Sequence, residues 1–223
     1  MLECLSSVLT RDEVKELLGI AETGSFVDGK ATAGKRIKHI KENLQLEASE
    51  AERKRINEIV AGALNRHEDF KSLVMPKRIA PPMVSRYEPG MSYGDHVDNP
   101  LVAGGLPMRT DASVTLFLSP PDAYDGGELV LQTPYGEQEV KLLPGEAVVY
   151  DTTVLHRVAP VTRGARLAAV TWVQSLIRDP AQRELLFELN TVVKRLGDER
   201  PDAEETRLLY RTYSNLVRMW AEI

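Results

Sequence analysis

The sequence predicts a mainly β protein, a sandwich or barrel with helices at both ends. Three observations carry that prediction. Between about residues 76 and 175, short apolar or alternating runs recur between prolines and glycines. No helical pattern interrupts them, which excludes a parallel α/β sheet. Before and after this stretch the apolar residues recur at helical spacing instead.

Residues 1–75 read as an N-terminal helical support region with one short strand. Thr10 and Glu13 form a capping box ahead of "EVKELL", with Gly19 expected to stop that helix. "VDGKATAGKRIKH" is loop-like, and "KENLQL" has the look of a short strand. "LEASEAERKRINEIVAGALNRHEDF" then predicts one long amphipathic helix with Ile56, Ile59, Val60, Ala63 and Leu64 on its buried face. Residues 76–177 hold the β core: "MVSRY", "ASVTLFLS", "GELVLQT", "EQEVKLL", "EAVVYDT", "VLHRVAPV" and "ARLAAVTWVQS". "PYGEQ" and "LPGEA" supply tight turns among them. Residues 178–223 form a helical extension. Asp179-Pro180 opens one helix that Gly197 is expected to close, and Pro201 opens the next. Its stripe of Leu208, Leu209, Tyr213, Leu216, Val217 and Trp220 predicts a core-facing surface, one able to dock internally or to pair with a second copy.

Composition narrows the function. Of 223 residues, 43% are hydrophobic and 27% charged, and the net charge is −5. An acidic chain argues against nucleic acid as a partner, since that binding rests on clustered Lys and Arg. No run approaches the roughly 18 apolar residues of a membrane span. A lone cysteine, Cys4, cannot form an internal disulfide, so the expected location is the cytoplasm.

The chemistry centres on "YGDHVDNP". His96 and Asp98 stand two apart, a spacing that puts both on one face of an extended segment. His156 follows the apolar run "EAVVY", and Arg166 opens the last strand ten residues later. Singly, each has an ordinary structural reading: a turn histidine, a capping acid, a surface arginine. Together, two imidazoles and one carboxylate match the facial triad of non-haem Fe(II) sites, which leaves coordination positions open for a bidentate co-substrate and dioxygen. A dicarboxylic co-substrate that chelates the metal by its 2-oxo acid end leaves a distal carboxylate, which suits a planar guanidinium. Arg166 fits that task better than Arg163, which lies in the preceding turn. If Arg166 points inward, Ala168, Val170 and Trp172 share its face. His39 and His67 read as solvent-facing or structural; His67 ends a helix, where a cationic side chain suits the dipole.

With "RYEPGMSYGDHVDNP", "DGGELVLQ", "LPGEAVVYDTTVLHRVAPVTRGARLAAVTWVQS" and "KENLQL" in view, nearly the whole chain resembles a bacterial PKHD-type hydroxylase, a branch of the Fe(II)- and 2-oxoglutarate-dependent dioxygenases related to prolyl hydroxylases. The resemblance implies a double-stranded β-helix (jelly roll), with His96, Asp98 and His156 as iron ligands and Arg166 on 2-oxoglutarate. It implies O2 as co-substrate, L-ascorbate as a possible reductant, and hydroxylation of a C–H bond with release of succinate and CO2. Tyr87 and Tyr93 resemble tyrosines that precede the His-x-Asp in prolyl hydroxylases, the earlier one bonding the co-substrate. The family's Lys-Asn-Asn-x-Gln signature appears as Lys41-Glu42-Asn43-Leu44-Gln45, departing at Glu42. On a strand Asn43 and Gln45 share a face, so both are substrate candidates. The loop "NPLVAGGLPMRTDAS" is long enough to act as a lid, and its Arg109 is a candidate for an anionic substrate group. The substrate class stays open between a small molecule, linked by family reputation to siderophores and iron uptake, and a peptidyl proline. A cupin-like metal enzyme that does not use 2-oxoglutarate, or a non-enzymatic sensor of iron or 2-oxoglutarate, are the competing readings.

Overall fold

The computed structural model describes residues 1–32, 37–102 and 107–223. Two antiparallel sheets face each other. The major sheet runs in the order Leu2–Leu5, Ala147–Asp151, Ala112–Phe117, Arg166–Ser175, Met83–Tyr87, Leu44–Glu47, Ser25–Asp28, and Pro76–Ile79 also pairs with the far end of Arg166–Ser175. The minor sheet runs Gly136–Val140, Leu129–Thr133, His156–Val158, Ser92–His96, Lys41–Glu42. This is the jelly roll that the resemblance implies, one form of the sandwich or barrel that the short, turn-bounded runs predict.

The strands of the major sheet divide their side chains by alternation. Ala112, Val114 and Leu116, with Ala147, Val149, Ala169 and Val173, face a helical layer. That layer is α1 (Arg11–Thr23), α2 (Glu50–Arg66) and α3 (Glu68–Val74), which contribute Val14, Leu17, Ile56, Ile59, Val60, Leu64, Phe70 and Leu73. The opposite faces turn inward: Tyr87, Phe117, Val148 and Tyr150 meet Leu129, Leu131 and Val158 of the minor sheet. Each fully buried aliphatic side chain contributes about 1.5–3 kcal/mol. The helical layer therefore braces one wall of the roll while the space between the sheets stays available. Two further helices, α4 (Pro180–Glu199) and α5 (Glu204–Trp220), complete the chain, α4 packing on α3 and α5 on α4.

Several expectations need correction. The support region is mainly helical but carries more strands than the one expected: Leu2–Leu5, Ser25–Asp28 and Leu44–Glu47 all join the major sheet. Gly19 and Gly197 do not end their helices, which run on to Thr23 and Glu199. A helix interior tolerates a glycine at a cost of about 1 kcal/mol, and tertiary packing outweighs that here. The long helix is two, because His67 breaks it. His67 is the C-cap of α2 and the N-cap of α3, where Nδ1 accepts from the Phe70 amide and Nε2 meets the Ser6 carbonyl. His67 thus acts as an N-cap acceptor for α3, where the sequence predicts a cationic side chain at the end of a helix. The α5 stripe is only half-buried, and Leu208 is exposed. The "KENLQL" strand splits between the two sheets, with Asn43 as the joint.

Candidate active site

His96 and His156 lie directly across from each other in the ladder between Ser92–His96 and His156–Val158. Register alone thus delivers two imidazoles side by side, with ring centroids 4.2 Å apart. The strand ends at His96, and Asp98, two residues beyond, curls back between them. Its Oδ1 lies 4.0 Å from His96 Nε2 and 3.9 Å from His156 Nε2. One donor atom from each of the three residues falls within 4.8 Å of the others.

The outer atoms of each group are already committed. His96 Nδ1 bonds the Gly94 carbonyl at 2.8 Å and His156 Nδ1 the Val154 carbonyl at 2.9 Å. A carbonyl only accepts, so both Nδ1 atoms carry the proton and both Nε2 lone pairs face the centre. Ser113 of the opposite sheet donates to Asp98 Oδ2 at 2.5 Å, which leaves Oδ1 free. Burial, followed by the neighbouring His156, lowers the His96 pKa, so the imidazole stays neutral. Two imidazoles and a carboxylate, each with its ligating atom pointed inward and its far side bonded, are what a 2-His-1-carboxylate iron site requires. The residues present fit the metal.

These groups line a cavity of about 360 Å³ between the sheets. Arg166, first residue of the long strand, is 2% exposed at its inner end. Its guanidinium sits 5.4 Å from the ring centroids of both Tyr87 and Phe117, and its Nε has no hydrogen-bond partner among the described residues. Gly127 lies against it with φ +67, where an added Cβ would come within 3.2 Å of Arg166 Cδ. Val170 and Trp172 share the Arg166 face and line the same cavity, and Ala168 beside them is fully buried. The competing Arg163 is on the surface, bonded to Asp125 at 2.7 Å.

The remaining candidates divide. Tyr87 pairs in register with Arg166, lines the cavity, and has its phenol pushed up to about 12 by burial. Tyr93 stacks on His96 at 3.6 Å between centroids. Asn43 and Gln45 both line the cavity: Gln45 Oε1 accepts from Thr32 Oγ1 at 3.0 Å, whereas Asn43 Oδ1 is buried with no hydrogen-bond partner among the described residues. Arg109 does not reach the cavity. It is tied to Asp111 at 2.7 Å and to Glu222 at 2.9 Å, and these ion pairs hold it on the far side of the sheet end. Asn99, Leu101 and Val102 of the proposed lid line the cavity, and Leu101–Val102 pairs with Met108–Arg109; residues 103–106 lie outside the described residues. His39 is exposed.

Sequence reasoning missed Lys41, Ser113 and Tyr150. Lys41 is 5% exposed, lines the cavity, donates to Thr32 Oγ1 at 2.9 Å, and has its pKa lowered to about 8 by burial. The same alternation that singled out Asn43 and Gln45 includes it. Tyr150 meets His156 edge-on at 5.0 Å. Ser113 carries no signal, because its approach to Asp98 depends on how the two sheets stack.

A jelly roll with this constellation defines a class, the Fe(II)- and 2-oxoglutarate-dependent oxygenases. The model of the 2OG-Fe(II) oxygenase superfamily matches residues 82–174, and that of the PKHD-type hydroxylase C-terminal domain matches residues 180–222. PKHD-type hydroxylases of Thermosynechococcus vestitus and Crocosphaera subtropica are 49% and 45% identical, each over the full length of both chains. The chain belongs to the PKHD-type hydroxylase family. Among solved structures, a Pseudomonas putida prolyl-4-hydroxylase has a TM-score of 0.53 at 22% identity, covering 78% of this chain and 92% of that one. A Trichoplax adhaerens prolyl hydroxylase in complex with a hypoxia inducible factor peptide fragment has a TM-score of 0.58 at 20% identity, covering 82% and 86%. Both likenesses concern the fold. No helix among the described residues is long and apolar enough to cross a membrane.

Proposed function

We propose that this oxygenase hydroxylates a C–H bond of a substrate seated between the sheets, converting 2-oxoglutarate to succinate and CO2. The observation that supports it best is the placement of His96, Asp98, His156 and a buried Arg166, whose Nε has no partner among the described residues, around one cavity. In this reading His96 Nε2, Asp98 Oδ1 and His156 Nε2 hold Fe(II), which supplies dioxygen activation when bound. Ser113 and the Gly94 and Val154 carbonyls keep those atoms aimed. Arg166 takes the distal carboxylate of 2-oxoglutarate, with Tyr87 beside it as a second donor. The apolar face of Val170 and Trp172, with Leu101 and Val102 across the mouth, keeps water from the reacting centre. A reductant such as L-ascorbate enters this reading from the family alone. A reducing cytoplasm is the proposed location, on the strength of the lone, exposed Cys4.

A peptidyl substrate is the second reading, favoured by the likeness to prolyl hydroxylases, one of them carrying a peptide fragment. A siderophore-related small molecule is the other, carried by the family resemblance alone. Anaerobic titration tests the core of the proposal. Fe(II)-loaded protein should develop a visible charge-transfer band on adding 2-oxoglutarate. His156→Ala should abolish the band, and Arg166→Ala should require far more co-substrate to reach it. A wild-type protein that binds iron without any such band counts against the scheme.

A further inference from the structure

The oxygenase reading uses Asp98 and Arg166 and leaves one charged group of the cavity without a task. Lys41 is 5% exposed, and its ammonium has three N–H donors. One goes to Thr32 Oγ1, which is held in turn by Gln45 Oε1, and the face of Tyr93 lies 5.2 Å from Nζ. Neither partner carries a charge. Asp28, on the edge strand of the major sheet, is exposed and makes no ion pair with Lys41 among the described residues, although its charge favours the ammonium; its carboxylate accepts from the Lys30 amide at 2.8 Å. The undescribed residues, 33–36 and 103–106, contain no Asp or Glu. A buried cation without a counter-ion is costly, and its usual explanation is an anion that arrives.

The balance of charge in the cavity points the same way. Its charged lining is Lys41, Arg166 and Asp98. Fe(II) and the 2-oxoglutarate dianion cancel each other, so the site keeps one net positive charge. Asp98 is the nearest acid to act on Lys41, but in this reading its carboxylate is committed to the iron. Across the cavity Trp172 Nε1 is a buried donor with no partner among the described residues. Trp172 stands opposite Ser113, the residue that bonds Asp98, and so borders the metal end of the cavity.

We infer that Lys41, with Trp172 as a supporting donor, receives a single anionic group of the substrate, a carboxylate or an acid of equal charge. The inference rests on the oxygenase reading above. It deepens that reading by giving the substrate a chemical class: one net negative charge carried close to the hydroxylated carbon, recognised apart from the Arg166 end where 2-oxoglutarate is held. The Lys41–Thr32–Gln45 chain orients the ammonium, which gives the amide of Gln45 a positioning role.

The test uses full-length protein saturated with redox-inert Zn(II) and N-oxalylglycine, so that Arg166 is occupied. Matched carboxylate and primary-amide probes (benzoate and benzamide, 3-phenylpropionate and its amide, N-acetylproline and its amide) are titrated by ligand-observed NMR at pH 7. Wild type should prefer the acid of at least one pair by roughly tenfold, the scale of one charge-assisted contact. Lys41→Met should erase the preference and Lys41→Arg should retain it. A wild type with no preference in any pair, or a Lys41→Met protein that keeps it, overturns the inference. Thermal stabilisation by Zn(II) and N-oxalylglycine, read on the same samples, shows that each variant is folded. Its absence in wild type would mean that the oxygenase reading itself has failed, a result distinct from loss of the acid preference alone.

Discussion

Arg166 combines near-total burial with an Nε that has no partner, an arrangement that ordinarily destabilises a fold. Its retention makes sense if a diacid completes it. Replacing it with Met should therefore leave the melting temperature of the ligand-free protein unchanged or raised, while weakening 2-oxoglutarate binding by tenfold or more. Calorimetric titration in the presence of Mn(II), alongside thermal denaturation, reads both. A variant that melts early and still binds tightly would show the guanidinium to be a structural strut. Glu13 illustrates the opposite case, a fully satisfied acid. Arg66 grips its carboxylate at 2.7 Å, and the Thr10 backbone and hydroxyl also bond it, so its pKa lies below the usual carboxylate value. A depressed folded pKa adds stability above the unfolded value, about 4.3, and that stability is lost as pH falls through the folded value. Glu13→Gln should flatten the acid limb of a stability–pH curve below about pH 4.5, with a smaller midpoint difference from wild type at pH 3 than at pH 7.

At the scale of elements, caps and buried ion pairs decide where the helices sit. Thr10 with Glu13 and Ser49 with Glu52 form reciprocal capping boxes at the starts of α1 and α2. Ser49→Ala should cost about 1 kcal/mol in urea unfolding. The Thr10 box was readable in the sequence because it is local, and the buried residues of α2 are those its periodicity named. The helix ends were not, since Gly19 and Gly197 sit in helices held by packing from distant residues. The tie between α4 and the roll was equally hidden. Arg183, 2% exposed, bonds Asp151 at 2.5 Å across 32 residues of sequence. Asp151→Asn strands that buried cation and should cost roughly 3–5 kcal/mol, well beyond any surface ion pair. A loss under 1 kcal/mol would mean that water reaches the guanidinium.

For the whole molecule, the site joins two sheets. His96 and His156 come from the minor sheet, while Asp98 is steadied by Ser113 of the major one. Metal and co-substrate bind only where the roll is closed, so they should stabilise it by mass action. At a hundredfold excess over Kd that is about 2.7 kcal/mol, or roughly 5–10 °C for a chain of this size. Differential scanning fluorimetry with Mn(II) and N-oxalylglycine should show this, and chelator should remove it. The core strands and the four central residues were legible in the sequence, because alternation and residue type are local properties. Which edge each N-terminal strand joins, and that Arg109 is captured by Asp111 and Glu222, depend on long-range packing that no local pattern encodes.

The segment from Lys41 to Gln45 crosses from one wall of the roll to the other with Asn43 as its only joint, buried and exposed side chains taking turns along it. Gaining or losing one residue there would turn Lys41 or Gln45 outward and break the joint. Descendants of this enzyme that adopt new targets should thus keep the length of this crossing and change its letters, leaving insertions to the loop that follows Asp98.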